Sequence, residues 1–143
     1  MVTADDHLRQ KISCVAAAYG TSFNRLGMMM TETAWRTGDS WLDSLLVYLA
    51  ENRRIFEDSV NQISGVKAMA LDATYLCWVD FQDTGMTSEE FIRRVQSDAE
   101  IAANHGASFG AGGESFLRFN IACRRALVYD AVVRLQRAFA DLQ

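Results

Sequence analysis

Between Trp41 and Ile63 the chain keeps to the spacing of one helical face. Trp41, Leu45, Tyr48, Leu49, Asn52, Ile55, Phe56, Val60 and Ile63 follow the i, i+3, i+4 rhythm. At 3.6 residues per turn the stripe runs for about six turns, which predicts one long amphipathic rod. Ser40 and Asp43 have the spacing of a capping box at its start. Gly65 is placed to end it. A stripe of this kind is a packing surface rather than a ligand box.

Shorter signals lie on either side. Leu8, Ile12, Val15 and Ala16 predict a helix over about Asp5–Ala18, capped by Asp5 or Asp6 and ended by Gly20. The run Met28, Met29, Met30 is core or interface filler by its chemistry, and the helix that continues from Thr31 breaks near Gly38. Val66–Leu71 and Thr74–Phe81 read as strands. In the second, Tyr75, Cys77, Val79 and Phe81 share one face while Leu76, Trp78 and Asp80 share the other, which suits a central strand. Thr87-Ser88-Glu89-Glu90 opens a helix to about Ser97. A short strand over Glu100–Asn104 follows, then a glycine-rich loop, His105–Ser115, then a strand over Phe116–Ala122. The last helix, about Arg125–Leu142, carries Leu127, Val128, Ala131, Val132, Leu135, Ala138, Phe139 and Leu142 on one stripe. The expected fold class is α+β, a small mixed β-sheet covered on one side by the long and C-terminal helices.

Composition removes several function classes. The net charge of −4 without a basic run argues against nucleic acid, whose phosphates need clustered Lys and Arg. Cys14, Cys77 and Cys123 are odd in number, far apart and set among apolar residues. They read as small buried hydrophobes in a reducing compartment. With no Cys-x-x-Cys spacing and only His7 and His105 as histidines, a metal site is not expected. No apolar run reaches membrane-spanning length, so the chain is expected to be soluble and cytoplasmic.

The residue that asks for an explanation is Arg118. In Phe116-Leu117-Arg118-Phe119-Asn120-Ile121 the alternation puts Leu117, Phe119 and Ile121 on one face and Phe116, Arg118 and Asn120 on the other. A guanidinium at mid-strand among aromatics is costly unless it finds an anion. Its planar fork suits a carboxylate, and a same-face asparagine such as Asn120 could steady it. Either an internal acid supplies the partner, with Asp80 at the end of the Thr74–Phe81 strand as the named candidate, or a ligand carboxylate does. The loop before it is a weak phosphate cradle, because it leads into a strand and not a helix N-terminus.

Three ordered blocks carry a resemblance. GASFGAGGESFLRFNIACRR (Gly106–Arg125), MTETAWRTGDSWLDSLLVYLAENR (Met30–Arg53) and DATYLCWVD (Asp72–Asp80) resemble the C-terminal portion of class I/II aminotransferase-like enzymes that use pyridoxal phosphate, in the cystathionine β-lyase or C–S lyase branch. The likeness implies the small domain of a fold-type I enzyme over residues 39–143. Residues 1–38 would then be a helical segment left from the large domain and the interdomain connection. It also implies that Arg118 grips the α-carboxylate of an amino-acid substrate, with Asn120 and Phe109 in support. The family's prolines are absent, their places held by Leu71 or Asp72, by His105 and by Arg124. Neither Lys11 nor Lys67 stands in the context of the Schiff-base lysine. The resemblance therefore implies that this chain holds no catalytic residue. It is expected to bind no cofactor by itself and to be inactive without an N-terminal large domain, in an enzyme expected to be a homo-oligomer. A dimer that hides the Met28–Met30 region, or an unsettled N-terminus, is expected. The alternative is a stand-alone non-enzymatic α+β module that binds a carboxylate ligand or a protein partner.

Overall fold

The computed structural model describes residues 3–20 and 23–142. They divide into two units, Met1–Asp43 and Ser44–Gln143.

In the first unit, α1 (Asp6–Ala18) begins where the Asp5 carboxylate accepts from the Leu8 amide at 3.0 Å. That bond satisfies one of the orphan donors of a helix N-terminus. α2 (Arg25–Thr37) starts alike, Asn24 Oδ1 accepting from the Gly27 amide at 2.6 Å. Neither helix buries a residue, and Leu26, Met28, Met30 and Trp35 are all exposed. Of the two outcomes expected for this region, an unsettled N-terminus is not what the structure describes, since α2 is formed. Thr21 and Ser22, in the connection before it, lie outside the described residues. Cys14 departs from expectation: it is exposed, because α1 has no covered face in which to hide it.

The break near Gly38 is present, but the rod α3 (Asp39–Val60) starts two residues earlier than a Ser40 cap would give. The reason is that the Gly38 carbonyl already accepts from the Leu42 amide at 2.9 Å. The stripe is dry only from Leu49 on, with Asn52, Ile55, Phe56 and Val60 buried and Trp41 and Tyr48 exposed.

In the second unit the elements after α3 are β1 (Lys67–Ala68), β2 (Leu76–Asp80), α4 (Ser88–Arg93), β3 (Asn104–His105), β4 (Phe116–Asn120) and α5 (Arg125–Ala138). The fold is α+β, as expected, with the strands in the order β1-β2-β4-β3. Each neighbouring pair is antiparallel, whereas the sequence suggests a mixed sheet. The cause lies in the connections. The α4 segment returns the chain so that β3 runs parallel to β2 but one place away, and β4 fills the gap antiparallel to both. All four strands are shorter than their sequence signals. Thr74 (φ 69°) and Glu100 (φ 52°) take left-handed backbone, which interrupts extended structure just before β2 and ahead of β3.

The alternation in β2 and β4 decides which face is dry. Cys77, Val79, Leu117 and Phe119 are buried against Ile55 and Phe56 of α3 and against Val128, Val132 and Leu135 of α5. Phe81 and Phe91 stack at 4.8 Å, with Phe139 5.7 Å from Phe81, and this joins α4 to the C-terminus. Asn52 is fully buried, and its Nδ2 donates to the carbonyls of Ile121 and Cys123, both at 3.0 Å. Both acceptors lie just past the end of β4, so this one amide ties the exit of that strand to the rod. Burial of two free carbonyls would otherwise be costly.

Candidate carboxylate-binding site

The opposite face of the sheet carries the site. Arg118 sits half-buried at the middle of β4, between Trp78 of β2 and Asn104 of β3 in the ladder register. Its Nη2 donates to Asn104 Oδ1 at 3.1 Å. The ring of Phe109 covers the guanidinium, with its centroid 4.4 Å from Cζ, and meets Trp78 edge-on at 5.3 Å. Trp78 in turn meets Phe116 at 5.9 Å.

Asp80 does not fill the role of internal counter-ion. It stands opposite Phe116, and its Oδ1 accepts from the Gln82 amide at 2.9 Å. Among the described residues no carboxylate lies within ion-pair distance of Arg118, and its Nε is buried with no hydrogen-bond partner. Arg94, by contrast, is bound by both Glu90 and Asp141. A partly desolvated guanidinium with an unused donor edge has the chemistry to take an anion, and its fork matches a carboxylate best.

The loop that delivers Phe109 depends on two glycines that touch. A Cβ on Gly106 would meet the Gly113 carbonyl oxygen at 2.3 Å, and a Cβ on Gly113 would meet that of Gly106 at 2.3 Å. Only bare backbone permits this approach. The loop walls a recess of about 460 Å³ with Met69, Trp78, Phe109 and Phe116. A larger hollow of about 710 Å³ runs along α2 in the first unit. Its charged groups, Glu32 and Arg36, pair with each other at 2.9 Å, and Phe23, Met28 and Trp35 give it an apolar wall.

Of the residues singled out from sequence, Arg118 and Phe109 are brought together. Asn120 makes no hydrogen bond to Arg118 among the described residues; its Oδ1 accepts from the Ala122 amide at 2.9 Å and so shapes the strand exit. The asparagine that holds the fork is Asn104. Trp78, directly across the ladder, is the second neighbour that sequence reasoning passed over. A strand register could have found both, but register between distant segments is not visible in one sequence.

No family model matches the chain. Curated relatives do. The chain is 31% identical over 118 residues to the cystathionine beta-lyase PatB of Bacillus subtilis, covering 82% of this chain and 30% of that protein. It is 30% identical over 133 residues to a putative cystathionine beta-lyase of Mycobacterium leprae, covering 84% of this chain and 33% of that protein. The chain belongs to the cystathionine β-lyase branch of the aminotransferase-like family. It matches the C-terminal portion of that family and spans about a third of the length of these relatives. Among solved structures, the pyridoxal-phosphate-bound putative aminotransferase of Clostridium difficile superimposes with a TM-score of 0.85 at 30% identity, over 96% of this chain and 36% of that one. Cystalysin from Treponema denticola, which contains pyridoxal 5′-phosphate, gives a TM-score of 0.85 at 27% identity, over 99% of this chain and 36% of that one.

Neither lysine of this cystathionine β-lyase-like chain stands beside Arg118. Lys67 stands on β1, two strands from Arg118 and opposite Asp80, and Lys11 lies on α1. The glycine-rich loop turns into β4, not into a helix N-terminus that could hold phosphate. Among the described residues no group of three or more His, Cys, Asp or Glu is placed to hold a metal ion, and no helix is long and apolar enough to cross a membrane.

Proposed function

We propose that this chain supplies the substrate-recognition arginine of a pyridoxal-phosphate-dependent C–S β-lyase or aminotransferase. Arg118 receives the α-carboxylate of an amino acid, Asn104 and Phe109 hold the guanidinium, and the loop between Phe109 and Gly113 closes over the bound side chain. The observation that carries the reading is the state of Arg118: half-buried, held by a neutral amide, and paired with no internal acid among the described residues. The cofactor, its Schiff-base lysine and its phosphate ligands belong to the other two-thirds of the enzyme, so this chain alone binds no cofactor and is inactive. Residues 1–38 are the large-domain side of the interdomain connection, and residues 39–143 are the small domain. The bare apolar faces of α1 and α2 are those that the rest of the enzyme covers. The whole works as a cytoplasmic homo-oligomer.

Steady-state kinetics of the full-length enzyme test this. Arg118→Ala should lower kcat/KM about a hundredfold, the scale of one lost charge-assisted bidentate pair, while the melting temperature changes little. Kinetics like those of the unsubstituted enzyme would refute the assignment.

A further inference from the structure

We propose that Asn104 positions Arg118 by holding its guanidinium without neutralising it, and so fixes the edge that a carboxylate meets. This rests on the reading of Arg118 as a carboxylate site and adds to it the residue that sets the site's geometry and charge.

The ladder places Asn104 directly opposite Arg118, with its Oδ1 3.1 Å from Nη2. β3 has only two residues. The second, His105, pairs with Leu117, and its Nε2 lies 2.9 Å from Gln96 Nε2, so the residue that follows Asn104 is tied both in the ladder and through its side chain. An amide oxygen restricts the rotation of the fork yet leaves its full positive charge. An aspartate at this position would hold the fork equally well and cancel it. Nε is buried, one face lies under the Phe109 ring, and one hydrogen of Nη2 is engaged. What stays open is the edge formed by Nη1 and the second hydrogen of Nη2. Two parallel hydrogen bonds to a carboxylate need that edge. The structure thus separates the two tasks a counter-ion usually combines, orientation and neutralisation, and gives Asn104 only the first.

The test uses the 143-residue chain, the side-chain Nε–Hε resonance of Arg118 in NMR, and L-methionine as the probe carboxylate. In Asn104→Asp, this resonance should titrate as pH falls below the ordinary carboxylate range of about 4, because the guanidinium lowers the new carboxyl; the unsubstituted chain lacks that transition. That chain carries the same Asp80 and His105, so their titration is controlled for. Probe affinity should fall about tenfold in Asn104→Asp at neutral pH, because the new carboxylate competes for the fork. In Asn104→Ala, which frees the fork but adds no charge, the loss should be about threefold at every pH. No new titration in Asn104→Asp, or equal probe affinity in all three chains, overturns the proposal. If Asn104→Asp titrates but the probe leaves Arg118 of the unsubstituted chain unmoved, the contact stands and the carboxylate reading of Arg118 fails; the positioning role falls with it.

Discussion

The ring of Phe109 lies flat enough over Arg118 that its centroid is 4.4 Å from the guanidinium carbon, although half of the Phe109 side chain is open to solvent. An exposed aromatic in a glycine-rich loop has little to gain by ordering itself unless the cation beneath returns some energy. A cation–π contact at an exposed site is worth about 0.5–1 kcal/mol. The contact covers one face of the fork and so adds to the hold of the Asn104 bond on its edge.

Phe109→Leu should therefore raise KM for an amino-acid substrate about threefold in the full-length enzyme, with the melting temperature unchanged, since the residue packs into no core. Substrate titrations of kcat and KM check this. A fall in kcat with KM unmoved would show that the ring acts on a later step and not on the carboxylate.

Asn52 makes a prediction of the opposite kind. Its side chain is fully buried and holds the carbonyls of Ile121 and Cys123, while its Oδ1 accepts from Arg125 Nε at 3.3 Å. Arg125 is further placed by the ring of Tyr48, 4.5 Å from its Cζ, and by the bond from its amide to the Tyr48 hydroxyl at 2.7 Å. Asn52→Ala strands two carbonyls in the interior and should cost about 2–4 kcal/mol in chemical denaturation. Asn52→Leu should be no better, because it restores volume but no donor.

Much of this second unit was legible before any coordinates. The alternation of Leu117, Phe119 and Ile121 against Phe116, Arg118 and Asn120 gave the correct faces, because period 2 has no competitor over so short a run. The rod was legible for the same reason at period 3.6, although it ends at Val60, short of the stop expected at Gly65. What could not be read was pairing. Asn104 and Trp78 flank Arg118 only because β3, β4 and β2 lie side by side, and nothing within Asn104-His105 announces that register. Asn120 looked like the supporting amide because it is a near neighbour in sequence on the same face. Its side chain instead closes a turn on the Ala122 amide, the local bond that Asn forms most readily. The bare helices of the first unit show the limit of reasoning from amphipathic pattern. Pattern says that Leu26, Met28 and Met30 need cover, and it is silent on what provides it.

The arginine at the C-terminal latch predicts acid behaviour. Arg94 joins Glu90 at 2.8 Å to Asp141 and donates to the Ala138 carbonyl at 3.2 Å, with Phe139 5.6 Å from its Cζ. Hydrogen bonds from Arg93 and Arg94 hold the Glu90 carboxyl down to about 2, and Arg94 also lowers Asp141. A carboxyl whose folded value is depressed stabilises the fold above its ordinary range and loses that contribution as pH falls toward the folded value. Stability should accordingly decline between about pH 4 and pH 2. Arg94→Ala should flatten that part of the curve as well as lower the plateau. Urea midpoints across this range check both. Both carboxyls are solvent-exposed, so the slope should weaken with added salt.

The most direct test of Arg118 is a crystal structure of the full-length enzyme with an amino acid bound. Both carboxylate oxygens should lie within hydrogen-bond distance of Nη1 and Nη2 of Arg118, with Asn104 still on Nη2 and the Phe109 ring still over the guanidinium. A carboxylate seated on other residues, or Arg118 turned onto an acidic side chain of its own protein, would contradict the role given to it here.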